Sequence, residues 1–252
     1  MASDITDENI KDYVKRYIKS PNSLPEFLKG VTIGDWGQYF NNITNLDDLF
    51  MYGKNFNESL AGWGPYLDKV TSMNSMFYYC ENFNQDLNSW GPYLGNVKNM
   101  VDMFCGCVKF NQPLDNWGPY LGNVENMSYM FHSCKIFNQD LNSWGPSLGN
   151  VKYMVFMFAF CQNFNKPLDN WADLFRGNVE DIRGMFIACI NFDQDLSSWI
   201  INDSVERDQM FVDCPITEEH KPMIMEPKGA RKGGRKTKNR KTKNRKSKRH
   251  RK

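Results

Sequence analysis

The chain has no run of about 18 apolar residues, so no membrane-spanning helix is expected. Its first residues, Met1-Ala2-Ser3-Asp4-Ile5-Thr6-Asp7-Glu8, are acidic and lack an apolar core, unlike a secretory signal. An intracellular location is expected, with the seven cysteines reduced. Histidine is scarce: His132, His220 and His250 stand in unrelated settings. There is no glycine-rich phosphate loop and no histidine-based metal motif. Cys105 and Cys107 are the one close cysteine pair, too little for a metal site. Paired carboxylates recur in every repeat, whereas a catalytic pair would be unique. No catalytic, metal or cofactor-binding residue is assigned, no cofactor is expected, and the chain is not expected to be an enzyme.

Acid is missing from one region altogether. Residues 228–252 hold fifteen Lys or Arg and no Asp or Glu. Removing them from the totals (31 − 15 = 16 basic against 29 acidic) leaves residues 1–227 at −13. An acidic body therefore carries a basic tail. The tail repeats a pentad, Lys236-Thr237-Lys238-Asn239-Arg240 and Lys241-Thr242-Lys243-Asn244-Arg245, followed by a degenerate third. It has no apolar residue after Ala230, so it cannot build a core. Arg235, Lys236, Lys238, Arg240, Lys241, Lys243, Arg245, Lys246, Lys248 and Arg249 form a candidate contact for nucleic-acid phosphates or an import receptor. Anionic membrane and the chain's own acidic body are the alternatives. The tail has no aromatic residue, so base stacking is not supported.

What the chain has in abundance is repetition. All seven Trp fall in one column, at 36, 63, 90, 117, 144, 171 and 199, spaced 27 residues apart and 28 at the last step. Phe50, Phe77, Phe104, Phe131, Phe158, Phe186 and Phe211 form a second column. Phe56 to Phe192, Leu60 to Leu196 and Cys80 to Cys214 form three more. Such a period predicts a stacked array in which each unit buries its apolar face against its neighbours. Within a unit, Val97, Met100, Met103, Phe104 and Cys107 are spaced as one face of a helical turn. Phe110 to Trp117 reads as a short strand, and Trp-Gly-Pro-Tyr-Leu-Gly-Asn as a loop. Prolines at 113 and 167 predict that any sheet is short or interrupted. The expected class is an α/β repeat solenoid of about seven units. Its expected divisions are a helical cap over 1–30, repeats over 31–214, a linker over 215–227 and a basic tail over 228–252. In the cap, Ile10, Tyr13, Val14, Tyr17 and Ile18 line one helix face, with Thr6 or Asp7 able to cap it.

The Trp, Met and Cys columns read as packed core, with Cys105 off-column and exposed. Asn57, Asn84, Asn111, Asn138, Asn165 and Asp193 read as an internal polar ladder. The residues beside that ladder are the expected contacts for a protein partner: Glu58, Gln85, Asp86, Gln112, Asp115, Gln139, Asp140, Lys166, Asp169 and Gln194.

The run Met76-Phe77…Cys80…Phe83-Asn84-Gln85-Asp86-Leu87…Trp90 resembles the BspA-type leucine-rich repeat of mycoplasma and other bacterial surface proteins. The resemblance covers about residues 31–214. It implies a right-handed solenoid that binds protein or matrix partners without a cofactor. The turn Trp90-Gly91-Pro92-Tyr93-Leu94-Gly95-Asn96-Val97 is longer than in many members. The basic terminus is similar to those of proteins from large DNA viruses, which implies a host nucleus or a virion as the location. The expected function is a monomeric, non-enzymatic interaction scaffold whose tail contacts nucleic acid or directs import. The alternatives are a surface or virion adhesion protein and, more weakly, an enzyme of unknown type.

Overall fold

A computed structural model describes residues 4–225. The basic tail and its candidate contacts, Arg235 to Arg249, lie outside the described residues, as do residues 1–3. The repeats are real in three dimensions, and each contacts its sequential neighbours. Seven successive rows, over residues 46–52, 73–79, 100–106, 127–133, 154–160, 182–188 and 207–213, lie side by side. At each of the six junctions, four alternate N–H groups of one row donate to carbonyls of the next. Between the second and third rows these are Met73 to Asn99, Ser75 to Val101, Phe77 to Met103 and Tyr79 to Cys105, at 2.7–3.0 Å.

These rows are where the sequence predicts a helical turn, and they are not helical. Two residues in most rows have φ near +55°, for example Ser75 (52°) and Tyr79 (55°). A left-handed residue interrupts the i→i−4 pattern. The chain closes three-residue turns instead, Met103 N–H to Met100 O and Cys107 N–H to Phe104 O. The remaining N–H groups point at the next unit. Helical spacing of the apolar residues survives because successive three-residue turns repeat with nearly the same period.

The expected strand between Phe110 and Trp117 is also absent. Among the described residues, parallel pairing consists of single bridges, Ile5–Phe40 and Asn45–Ser72–Asn99–Asn126–Tyr153–Asp181–Glu206, together with β1 (Ile200–Asn202) beside β2 (Met223–Met225). The regular helix-like element lies where a loop is expected. Asn88–Tyr93, Asp115–Tyr120 and Asn142–Ser147 are 3-10 helices that carry the Trp-Gly-Pro segments. The glycine there is dictated by the neighbour. A Cβ on Gly145 would lie 2.1 Å from Asn170 O, and one on Gly91 2.3 Å from Asn116 O. Gly149, five residues from Trp144, has nothing within 4 Å. Gly145→Ala is therefore expected to destabilise the fold by about 1–3 kcal/mol, the usual cost of overpacking. Gly149→Ala should change it by less than about 0.5 kcal/mol, and urea denaturation of the two variants checks the contrast.

The core is a set of parallel ladders. Every column Trp from Trp36 to Trp199 is fully buried. Each indole N–H from Trp63 onward donates to a carbonyl of the preceding unit, as Trp117 does to Leu87 O at 2.9 Å. Trp36 has no preceding unit, and its indole N–H is the one buried side-chain donor without a partner among the described residues. Column phenylalanines stack at 5.4–5.7 Å between units. The cysteines form no disulfide. Their thiols donate to the Phe carbonyl of the preceding unit, Cys107 to Phe77 O and Cys134 to Phe104 O, both at 3.0 Å.

Both ends of the array differ from its middle. Helix α1 (Ile10–Lys19) buries Ile10 and Val14 and sets Tyr17 edge-on against Trp36 at 5.4 Å. Neither expected cap residue serves α1. Asn9 occupies the cap, and Asp7 accepts from Thr44 and Asn45 instead, tying the segment to the first row. Residues 215–225, expected to be a linker, fold back over the last unit in place. Leu196 N–H donates to His220 O, Met223 N–H donates to Trp199 O, and Ile216 is buried.

Candidate functional site: an aromatic face

The expected partner residues lie on one polar edge, and half of them are engaged in holding one unit to the next. Each ladder asparagine accepts the backbone N–H of its successor, from Asn84 N–H on Asn57 Oδ1 to Asp193 N–H on Asn165 Oδ1. Gln85 and Gln139 donate to both oxygens of the preceding unit's asparagine, and Gln194 donates to Asn165 Oδ1. Asp86 and Asp140 accept from the N–H two residues on. In the alternate units that carry proline, Asp115 and Asp169 accept from Asn88 and Asn142. The two-unit alternation in the sequence is thus an alternation of hydrogen bonding. Glu58 accepts from the Tyr17 hydroxyl at 2.6 Å, which pushes that phenol up to about 12, burial contributing most. Gln112 and Lys166 make no side-chain hydrogen bond among the described residues and stay partly exposed.

The rows of tight turns present a different surface. Tyr52, Tyr79 and Phe160 are 65%, 41% and 43% exposed. Tyr52, Tyr78 and Tyr79 cluster with ring centroids 4.7–6.1 Å apart. Further along, Tyr129 stacks on Phe156 at 5.2 Å, and His132 lies edge-on to Phe160 at 5.4 Å. Two glycines let these rings lie flat over the next unit. A Cβ on Gly106 would meet the Tyr79 ring at 2.9 Å, and one on Gly184 would meet the Phe156 ring at 2.3 Å.

Five of these aromatics, Tyr52, Tyr79, Tyr129, Phe156 and Phe160, hold φ between 52° and 62°. Bulky side chains rarely adopt this conformation, and each such residue costs on the order of 1–2 kcal/mol. Equivalent positions in other units hold Asp48, Asp102, Gly106, Gly184 and Asp213, which tolerate it better, and Ser75, Ser133, Ala188 and Gln209, which share the strain without a bulky ring.

Between the two aromatic clusters sit Asp102, Cys105 and His132. Cys105, expected to be exposed, is 4% exposed, because the Tyr79 ring and the next unit cover its row. Its Sγ lies 3.7 Å from His132 Nδ1. Burial, reinforced by the Asp102 charge, pushes the Cys105 thiol up to about 12. Burial also lowers His132 and raises Asp102. A thiol this reluctant to ionise is not a poised nucleophile. Among the described residues no group of three or more His, Cys, Asp or Glu could hold a metal ion, and no helix is long and apolar enough to cross a membrane.

The repeat pattern decides the family. The family described as Mycoplasma protein of unknown function, DUF285, matches residues 27–144 and again 120–221. The chain belongs to the DUF285 family. A search of curated proteins finds no match. The match is consistent with the BspA-like resemblance of the repeats, and its two overlapping segments fall on the array of the DUF285 chain and on the folded segment after it.

The aromatic face was within reach of the sequence and was missed there. Sequence reasoning places aromatics in the core because the recurring Trp and Phe columns are core. Tyr52, Tyr78, Tyr79, Tyr129, Phe156 and Phe160 belong to none of those columns. Large aromatics at a repeating position that other units fill with small or polar residues are the signal.

Proposed function

We propose that this DUF285 chain is a non-enzymatic protein-interaction scaffold, a leucine-rich-repeat-like right-handed solenoid whose aromatic turn face receives the partner. The observation that carries the reading is the set of five aromatics held in left-handed backbone conformations on one face. Strain of that kind persists where function or surrounding structure requires it. Clustered, partly exposed Tyr and Phe are also the side chains that dominate protein interfaces. The amide edge, with Gln112 and Lys166, is the rim of the reading, since its other members already hydrogen-bond within the array.

The test is affinity capture with the full chain and with a Tyr52→Ser, Tyr79→Ser, Phe160→Ser variant. All three residues are exposed, so the fold should survive, which circular dichroism checks. Loss of about tenfold or more of the captured partner is expected for removal of hot-spot aromatics. Unchanged capture by the variant, with loss on Gln112→Ala and Lys166→Ala, would move the site to the amide edge.

The tail reading rests on a second observation, the fifteen cations without acid in residues 228–252. A version ending at Glu226 should lose DNA binding at low salt. Equal binding by the two versions removes nucleic acid from the proposal and leaves import, an anionic surface or adhesion to be decided by where the protein is found.

A further inference from the structure

The two ends of the array are chemically opposite. Within the rows, every junction is made by N–H groups of one row donating to carbonyls of the next, whereas bonds that run the other way, such as Lys98 N–H to Thr71 O, flank the rows. The last row therefore ends in donors. Among the described residues, the N–H groups of Arg207, Gln209, Phe211 and Asp213 have no hydrogen-bond acceptor, although their counterparts Ile182, Gly184, Phe186 and Ala188 are all bonded. Residues 215–225 cover the neighbouring stretch, through Leu196 to His220 and β1 to β2, but leave this row open. Beside it is a groove of about 400 Å³ floored by Ile201 and Met210 and walled by Phe211, Val212 and Ile224. Val212 and Ile224 are 46% and 41% exposed.

We infer that this open edge is a second docking site, which takes a parallel peptide segment from a protein partner by completing the repeat. The occupant presents backbone carbonyls at alternate residues to the four donors. It also places Met- or Phe-like side chains over Met210 and Phe211, as each internal row does for the one before it. Six internal junctions define that chemistry. Adding an extended segment to an unpaired edge is an established mode of peptide recognition.

Two other occupants fit less well. A second copy would have to offer its own first row, but α1 packs across that end. Lys11 pairs with Asp48, and Val14 and Ile18 line a cavity with Leu49 and Met51. The chain's own continuation would bring Ala230 to Thr237 to the edge if the register of Leu196 with His220 continued. Those residues are Ala-Arg-Lys-Gly-Gly-Arg-Lys-Thr, with glycine or a cation where Met and Phe belong. This site is separate from the aromatic face, so the two stand or fall independently.

Hydrogen exchange of the full chain tests it, with a peptide of residues 124–134 (Val124 to Cys134) as the probe. In the free chain the amides of Arg207, Gln209, Phe211 and Asp213 should exchange about 100-fold faster than those of Ile182, Gly184, Phe186 and Ala188. The peptide should slow the first four by about tenfold or more and leave the interior unchanged. Val212→Glu and Ile224→Glu, both at exposed positions, should weaken peptide binding about tenfold while interior protection persists. Protection of the four amides in the free full chain, whether by its tail or by a second copy, overturns the inference. Absence of peptide binding, or equal binding to the glutamate variants, overturns it as well.

Discussion

Raising the pH from 8 to 10 is expected to remove most of this protein's stability. Cys107, Cys134, Cys161 and Cys189 are buried in apolar surroundings, and desolvation holds each thiol well above its ordinary range. Cys80 and Cys105 are pushed up to about 12 by the same cause. Neighbouring thiolates in the column would also repel one another. In the unfolded chain these thiols ionise near pH 8.5–9. A group whose folded pKa is raised contributes stability that is fully present below its unfolded pKa and lost as pH climbs toward the folded one. Each buried thiol therefore removes about 1.4 kcal/mol per pH unit above roughly 9. Six such groups would consume a stability of about 5–15 kcal/mol within one or two pH units. Urea titrations at pH 7, 8, 9 and 10 measure the slope. Cys134→Ala should reduce it by about the share of one thiol, while costing some stability at pH 7 through the cavity it leaves. A slope that Cys134→Ala leaves unchanged would show that the thiols are not its source.

The second large effect is at the indole ladder. Trp117→Ala is expected to cost about 3–5 kcal/mol. Trp117 is fully buried, packs between Phe104 at 6.3 Å and Trp144 at 6.2 Å, and donates to Leu87 O. Deleting it opens a cavity at the contact with the flanking units. Trp117→Phe restores most of the volume but leaves Leu87 O without its donor, so a smaller loss is expected, about 1–3 kcal/mol. Trp36→Phe is the informative contrast, because the Trp36 indole N–H has no acceptor to lose. It should cost clearly less than Trp117→Phe, and thermal or urea denaturation ranks the three. A cost for Trp36→Phe equal to that for Trp117→Phe would show that the indole hydrogen bond contributes nothing. In an array whose units contact only their neighbours, a mid-array lesion also divides the cooperative unit. Trp117→Ala is therefore expected to broaden the transition as well as lower its midpoint.

These predictions draw unequally on sequence and structure. The spacing of Trp36 to Trp199, and the Phe, Leu and Cys columns in register with it, determined by themselves that the chain is an array with an internal apolar spine. A fixed period admits only arrangements in which equivalent residues stack. The asparagine ladder was legible for the same reason: a polar residue recurring once per unit finds its partner in the next unit, although the ladder lies half-exposed at the surface and not inside. The local conformation was not legible. Val97, Met100, Met103, Phe104 and Cys107 fit a helix face and a chain of three-residue turns equally well. The choice between them is made by carbonyls 26 residues away, which take the N–H groups that a helix would keep. The Trp-Gly-Pro segment is a 3-10 helix and not a loop, and the next unit's backbone approaches Gly91, Gly118 and Gly145 too closely for any side chain there. The sequence carried a signal for the aromatics of the exposed face, but their exposure, and the open last row, were decided by the tertiary structure. Whether Tyr79 is buried or exposed depends on which side of the row its left-handed backbone turns it. Whether Phe211 N–H is free depends on what lies beyond the last unit. Periodicity specifies what each unit shares with its neighbours, and both candidate sites lie where that sharing stops.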